Sequence, residues 1–277
     1  MGALGLRLGF FGPRCRCADD GELPVHEDLS IAVDDQHVGT LEIRRPPNNF
    51  MDAQLIAGIA DGLEHLQTDP SCRAVVLRSQ GKHFSAGRDF SKPRGEGDSA
   101  AELYGHATRI VATELPIVAA VQGAAVGGGL GLALAADFRV ATPRTRFVCN
   151  FARLGFHHGF GLTVTLPAIV GQQRAREILF TGARVAGEDG AAMGLCDRLV
   201  PEEGLHEDAQ AFAAEIAASA PLAVRSIRAT MRRGFLEQFR AATERECREQ
   251  EWLRETEDFA EGAAASRERR TPEFHGH

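Results

Sequence analysis

The chain has 277 residues, 44% of them hydrophobic and 25% charged, with a formal net charge of −7. That length fits one large domain with room for a small appendage, and the apolar share is too high for a mainly disordered chain. No run of about 18 uncharged apolar residues occurs, which argues against a membrane-spanning helix. The acidic balance argues against a nucleic-acid partner, which would call for a basic face. Lys82 and Lys92 are the only lysines, so a bound phosphate falls largely to arginine or to backbone amides.

In chain order, residues 1–27 read as a disordered N-terminal extension. The apolar run there is broken by Arg7 and four glycines before Pro13, and no A-x-A site follows, which fits a secretory signal poorly. Cys15 and Cys17 lack a second Cys/His pair nearby. All six cysteines are scattered, as reduced thiols of a cytoplasmic protein would be. Order is expected from about Leu29. Ser30 to Ile43 alternates like two short strands around Asp34-Asp35, and Arg45-Pro46-Pro47-Asn48-Asn49 is a loop because paired prolines exclude helix.

Asp52 is placed to cap a helix reaching about Gln67, with Leu55, Ile56, Ile59, Leu63 and Leu66 on one face. Ala74 to Arg78 reads as a buried strand, Gly81 to Gly97 as a loop and Ala100 to Thr113 as a helix. Ile117 to Val121 is a second buried strand. It leads through Gly127-Gly128-Gly129 into an alanine-rich helix ending at Ala136, and Phe138 to Ala141 is a further strand. Strand and helix alternate, the signature of an α/β fold with a mostly parallel sheet. The boundaries expected are a core over 28–201 and a helical region over 202–277. Within the latter, Arg240 to Glu261 is a heavily charged helix with few apolar anchors, suited to packing on a neighbour, on another subunit or to facing solvent.

Two loops carry the chemistry. Three consecutive glycines before a helix let a ligand approach the main chain, and the helix start offers unpaired N–H groups and a positive dipole end. Two such donors can hold a developing oxyanion. The alternative is that Gly127–Gly129 only permits tight packing. The second loop is Lys82-His83-Phe84-Ser85-Ala86-Gly87-Arg88-Asp89-Phe90.

Phe84-Ser85-Ala86-Gly87-Arg88-Asp89 resembles the F-x-A-G-x-D signature of the enoyl-CoA hydratase/isomerase (crotonase) superfamily. Gly123 to Asp137, GAAVGGGLGLALAAD, is similar to that family's G-x-x-x-G-G-G-x-E-L-x-x-x-x-D stretch. Leu154-Gly155 through Gly171, the early loop Arg45-Pro46-Pro47 with Asn49, and Asp258 to Gly262 with Arg269-Arg270 follow colinearly.

The resemblance implies a ClpP/crotonase-like spiral of ββα units with a C-terminal helical trimerisation region. It implies a homotrimer or dimer of trimers acting on an acyl-CoA, with coenzyme A entering as part of the substrate and no separate cofactor or metal. It assigns the oxyanion hole to the N–H groups of Ala86 and Gly128. It lines the substrate channel with Pro47, Asn48, Ala86, Arg88, Asp89, Phe90, Gly127, Gly128, Gly131 and Phe151, and places Arg269 near the CoA phosphates.

The departures from the family pattern matter as much. The two hydratase glutamates would fall at Gly131 and Phe151, and neither residue can transfer a proton, a contribution worth about 10²–10⁴-fold. The reaction expected is therefore isomerisation, decarboxylation, C–C cleavage or atypical hydration. The alternative is an inert acyl-CoA-binding or assembly protein; a ClpP-like protease is disfavoured because no Ser/His/Asp arrangement is visible. His157-His158 is the leading replacement base, since histidine needs little tuning near neutrality; a pair that only bonds to backbone is the competing reading. Asp89 follows, as a base or as a local cap or partner of Arg88. His83 flanks the loop, and Cys149 reads as a small buried hydrophobe.

Overall fold

A computed structural model describes residues 26–89 and 99–277. The extension expected over 1–27, with Cys15 and Cys17, falls outside these residues apart from its last two positions. Phe90 and the second half of the glycine-rich loop also lie outside them.

The hairpin is present as β1 (Leu29–Val33) and β2 (Val38–Ile43), antiparallel with Leu29 opposite Ile43. The following helix, α1 (Ala53–Thr68), begins where expected: the Asp52 carboxylate accepts from the Leu55 N–H at 2.8 Å. β3 (Ala74–Ser79), α2 (Ala100–Ala112), β4 (Ile117–Val121), α3 (Gly128–Ala135) and β6 (Phe138–Ala141) lie within a residue or two of their predicted bounds. Three short strands had no sequence signal: β5 (Ala124–Val126), β7 (Arg146–Val148) and β8 (Arg184–Ala186). At three residues each, they are too short for an alternating pattern to register.

The main sheet runs β1-β2-β3-β4-β6-β9, where β9 is Arg198–Leu199, and every pairing after the hairpin is parallel. β5, β7 and β8 form a second, smaller sheet. Both faces of the main sheet are covered, which explains the nearly unbroken apolar runs of β3 and β4. Val75, Leu77, Ile117, Ala119 and Val121 point into the core shared with α1 and α2. Their alternates Ala74, Val76, Val118 and Ala120 meet Leu205, Ala209, Ala213 and Ala217 of α7 (Leu205–Ala217). Alanine at those α7 positions lets the helix lie close against the strands.

The remaining helices are α4 (Leu162–Val170), α5 (Gln172–Thr181), α6 (Gly187–Met193), α8 (Pro221–Met231), α9 (Phe235–Leu253) and α10 (Glu257–Glu268). The single charged helix expected over 240–261 is in fact the end of α9 and the start of α10, with a turn at Arg254–Thr256 between them. Of the expected placements, α9 takes packing on a neighbour, since one face lies on α2 and α4 of its own chain. Its buried stripe is Phe239, Ala242, Thr243, Glu246, Cys247 and Gln250. The spacing is that of a core helix, but half of the stripe is polar, which is why hydropathy alone passes over it.

Candidate active site

The two chemistry-bearing loops are stitched together by main-chain bonds. The Phe84 N–H donates to the Gln122 carbonyl at 2.9 Å, the Ser85 N–H to that of Ala124 at 3.1 Å, and the Val126 N–H returns to Ser85 at 2.9 Å. Ser85 and Ala125 thereby form a parallel bridge. Asn49 fixes the loop from behind. Fully buried, it donates through Nδ2 to the carbonyls of Gln80 at 2.7 Å and His83 at 2.6 Å, and accepts the Arg45 N–H at 3.0 Å. The Ser85 hydroxyl donates to the Asn49 carbonyl at 2.8 Å.

The glycines are demanded by close approach. A Cβ at Gly129 would lie 2.5 Å from the Ser85 carbonyl oxygen, and one at Gly87 (φ +76°) 2.6 Å from that of Val126. The run therefore permits tight packing, and it also opens α3, as the sequence argument expected of it. Gly127 spends its N–H on the Val148 carbonyl at 2.9 Å, while Gly131 closes the first helical turn onto Gly127. Gly128 is the first helical residue, and among the described residues no acceptor takes its N–H.

This seam borders a cavity of about 310 Å³. Ala86, Gly87, Arg88, Asp89, Gly127 and Gly128 form one wall. Phe151, Phe156, Phe160, Leu103 and Met51 make it apolar, and Tyr104, Gln250, Arg254 and Arg267 supply polar groups. Asp89 is the only carboxylate on the described wall.

Several expected site residues need correction. The Ala86 N–H is already given to the Asn48 carbonyl at 2.8 Å, so the amide assigned to the oxyanion hole is spent on holding the loop. Pro47 and Asn48 do not border the cavity; their carbonyls accept from Lys82, His83 and Ala86 instead. Arg269 caps α10 on the exposed surface, and Arg267, two residues earlier, reaches the wall. Gly131 is also off the wall, because a Cβ there would meet that of Phe160 at 2.5 Å. Phe160, with φ of +61°, occupies the space a side chain at 131 would need. Phe151 does border the cavity, stacked on Phe156 at 6.1 Å.

The histidine pair is displaced from its expected role, for neither ring borders the cavity. His157 donates through Nδ1 to the His158 carbonyl at 2.7 Å, and the two rings stack 4.2 Å apart. The Thr163 hydroxyl gives its only proton to Glu246 at 2.6 Å, so its 2.8 Å contact with His158 Nε2 must be an acceptance from the imidazole N–H. Burial, with His157 beside it, lowers the His158 pKa to about 3. The 3.9 Å approach of His158 to Glu246 is therefore a neutral ring beside a carboxylate rather than an ion pair. His83 is likewise structural, its Nδ1 accepting the Ala124 N–H at 3.2 Å. Cys149 is fully buried and its thiol pKa is pushed up to about 12, in keeping with a small hydrophobe.

Sequence reasoning missed the opposite wall. Tyr104, whose pKa is raised by burial, donates its hydroxyl to Gln250 Oε1 at 3.0 Å, and Gln250 Nε2 donates to the His157 carbonyl at 2.9 Å. One turn away Glu246 accepts the Gly161 N–H at 2.8 Å and the Thr163 N–H at 3.0 Å. Burial raises its pKa to about 6 despite these bonds. Only the polar residues at core spacing in α9 hinted at this.

Residues 34–277 match the model of the enoyl-CoA hydratase/isomerase family. The chain belongs to that family. A Bacillus subtilis protein named "Probable enoyl-CoA hydratase" is 31% identical over 255 residues, covering 90% of this chain and 98% of that one. A carnitinyl-CoA dehydratase of Salmonella arizonae is 32% identical over 247 residues, with 86% and 94% covered. Among solved structures, an enoyl-CoA hydratase from Mycobacterium avium subsp. paratuberculosis superposes with a TM-score of 0.79 at 28% identity, covering 90% of this chain and 98% of that one. An enoyl-CoA hydratase/isomerase from Pseudoalteromonas atlantica gives 0.80 at 29%, covering 90% and 100%. The crotonase fold and membership of an enzyme family are thus shown.

Proposed function

We propose that this enzyme processes an acyl-CoA thioester through a CoA enolate, with the Gly128 N–H as the fixed donor to the thioester oxygen. The observation that carries the reading is that amide, at the start of α3, on the wall of a cavity lined by Phe151, Phe156, Phe160, Leu103 and Met51 with a few polar side chains. Because Ala86 is spent, the second donor is assigned to the Arg88 amide, further along the same loop and on the same wall. One such donor is worth about 3–4 kcal/mol of barrier lowering. Asp89, the one described carboxylate on the wall, is assigned any proton transfer. With Gly131 and Phe151 in place of the glutamates, two-carboxylate water activation is disfavoured. Double-bond isomerisation, decarboxylation and C–C cleavage fit better than hydration. No cofactor is proposed beyond the CoA moiety of the substrate. Exposed Leu222, Ile227 and Met231 on α8 support assembly as a homotrimer or dimer of trimers, which light scattering would measure. The free thiols among the described residues, all buried, fit a cytoplasmic setting.

The test is a panel of enoyl-, β-keto- and malonyl-type CoA esters, read for turnover and for α-hydrogen exchange in deuterated water. Exchange with at least one ester supports the enolate, and a loss of about 10² or more in Asp89→Asn supports the carboxylate's role. CoA-ester binding without exchange favours the second reading, an inert acyl-CoA-binding protein, which the missing glutamates motivate. Neither binding nor exchange overturns both.

A further inference from the structure

A second concavity, of about 980 Å³, opens where the parallel strands of the main sheet end. Ser79 at the end of β3, Gln122 just past β4 and Thr142 just past β6 line it, together with Lys82, His83, Arg144, Arg146 and His206. The carboxyl edge of a parallel sheet is a recurrent ligand position in α/β folds. Nothing in the proposed thioester chemistry uses this space.

Its charges do not cancel locally. Glu42 is engaged by Arg44 and Arg78, each at 2.9 Å, and Glu202 by Arg144 at 3.3 Å. Among the described residues, no carboxylate pairs with Lys82 or Arg146. Arg146 Nε is moreover buried and has no acceptor there, and Gln122 Oε1 is buried and has no donor. The orientation of the Gln122 amide is fixed, because its Nε2 donates to the Ser79 carbonyl at 2.6 Å and hydroxyl at 2.9 Å. Arg146 and Gln122 thus line one concavity, and each also carries a buried polar atom without a partner, an exception to the usual satisfaction of buried groups. The two cations share a seam, since the Arg146 N–H donates to the Gly123 carbonyl at 2.7 Å and a Cβ on Gly123 would strike the Lys82 carbonyl. Burial and the charges of Arg146 and Lys82 hold the His83 pKa below its usual value, consistent with a positive field there.

We propose that this concavity binds the phosphate group of a small metabolite, with the Arg146 guanidinium and the Lys82 ammonium holding the phosphate oxygens. Arginine presents its donors in the fork that matches phosphate, and Lys82 adds a point charge. The site is separate from the thioester cavity and stands whether or not the enolate reading does.

Calorimetric titration of the full-length protein with inorganic phosphate and with glycerol 3-phosphate tests it, alongside Arg146→Met and Lys82→Met. One saturable site per chain is expected, weakened about tenfold or more by Arg146→Met and less by Lys82→Met, with affinity falling as salt rises. Lys82 is exposed, so its variant decides the matter should Arg146→Met fail to fold. No saturable binding of either probe, or binding unaltered by a folded variant, overturns the proposal.

Discussion

The two walls of the thioester cavity are built on opposite plans. One is main chain: Gly127, Gly128 and the 84–89 loop are joined by the Ser85–Ala125 bridge, and glycine is required wherever backbones touch. The other is side chain: Tyr104 and Gln250 reach in from α2 and α9, and Glu246 of α9, behind the wall and off the cavity, helps hold the loop carrying Gly159, Phe160 and Gly161. The first wall tolerates almost no added atom. The second is equally tight at Gly159 and Gly161, where a Cβ would meet the Tyr104 hydroxyl and the Phe239 ring, but the atoms it would meet belong to side chains. Rigid donors are thus set against a wall whose hydrogen bonding depends on protonation state.

The sharpest way to break the first wall is Gly129→Ala. With a backbone oxygen 2.5 Å from the new Cβ, the two loops must separate. A stability loss of about 1–3 kcal/mol is expected in chemical denaturation, together with a loss of activity or α-hydrogen exchange of about 10²-fold. Unchanged exchange would detach the glycine seam from the chemistry.

The network behind the second wall, off the cavity itself, should respond to pH instead. Glu246 has its pKa raised from 4.5 to about 6, so between those values the folded protein binds more protons than the unfolded chain. Stability from this group falls as pH rises through that window, by roughly 2 kcal/mol, and is level above it. His158 works in the opposite sense. Its pKa is lowered to about 3 from 6.5, so its contribution is complete above pH 6.5 and is lost progressively as pH falls towards 3. Glu246→Gln should remove the first trend, and at neutral pH cost about 1–3 kcal/mol by setting an amide donor against the Gly161 and Thr163 donors. His158→Gln should flatten the second trend, measured as the free energy of unfolding between pH 4 and 7. Identical pH profiles in wild type and both variants would remove this wall's titratable character.

A smaller effect is expected for Tyr104→Phe. Gln250 Oε1 loses its donor, at about 1–2 kcal/mol of stability, while the cavity keeps its shape. Smallest of all, Cys149 should stay unmodified by a thiol reagent in the native protein and react only on unfolding.

The contrast between the walls also sets what could be read in advance. The strands and helices of the core were legible because their apolar spacing and caps are local: Asp52 caps α1, and β3 and β4 are runs of buried residues. The family followed from motifs whose residues are contiguous, and the three-glycine run was rightly placed at the start of a helix. The Ala86 amide was not legible as spent, because its acceptor, the Asn48 carbonyl, is brought to it by the 45–49 loop. The histidine pair looked catalytic because it is a local feature. Its actual partners, Thr163 and Glu246, come from α4 and α9.

The sequence alone determined the α/β architecture, the family, the strand–glycine–helix turn that leaves the Gly128 amide without an intrahelical partner, and the absence of carboxylates at 131 and 151. Each depends on residue type and near-neighbour spacing, which the chain carries wherever it folds. Tertiary structure decided which amides are spent, that Phe160 fills the space beside Gly131, that a charged helix buries Glu246 and Gln250, and that Arg146 and Lys82 line one concavity with no carboxylate partner among the described residues. Those outcomes turn on partners tens to over a hundred residues away, and a hydrogen bond or a clash exists only once the fold has set the distance.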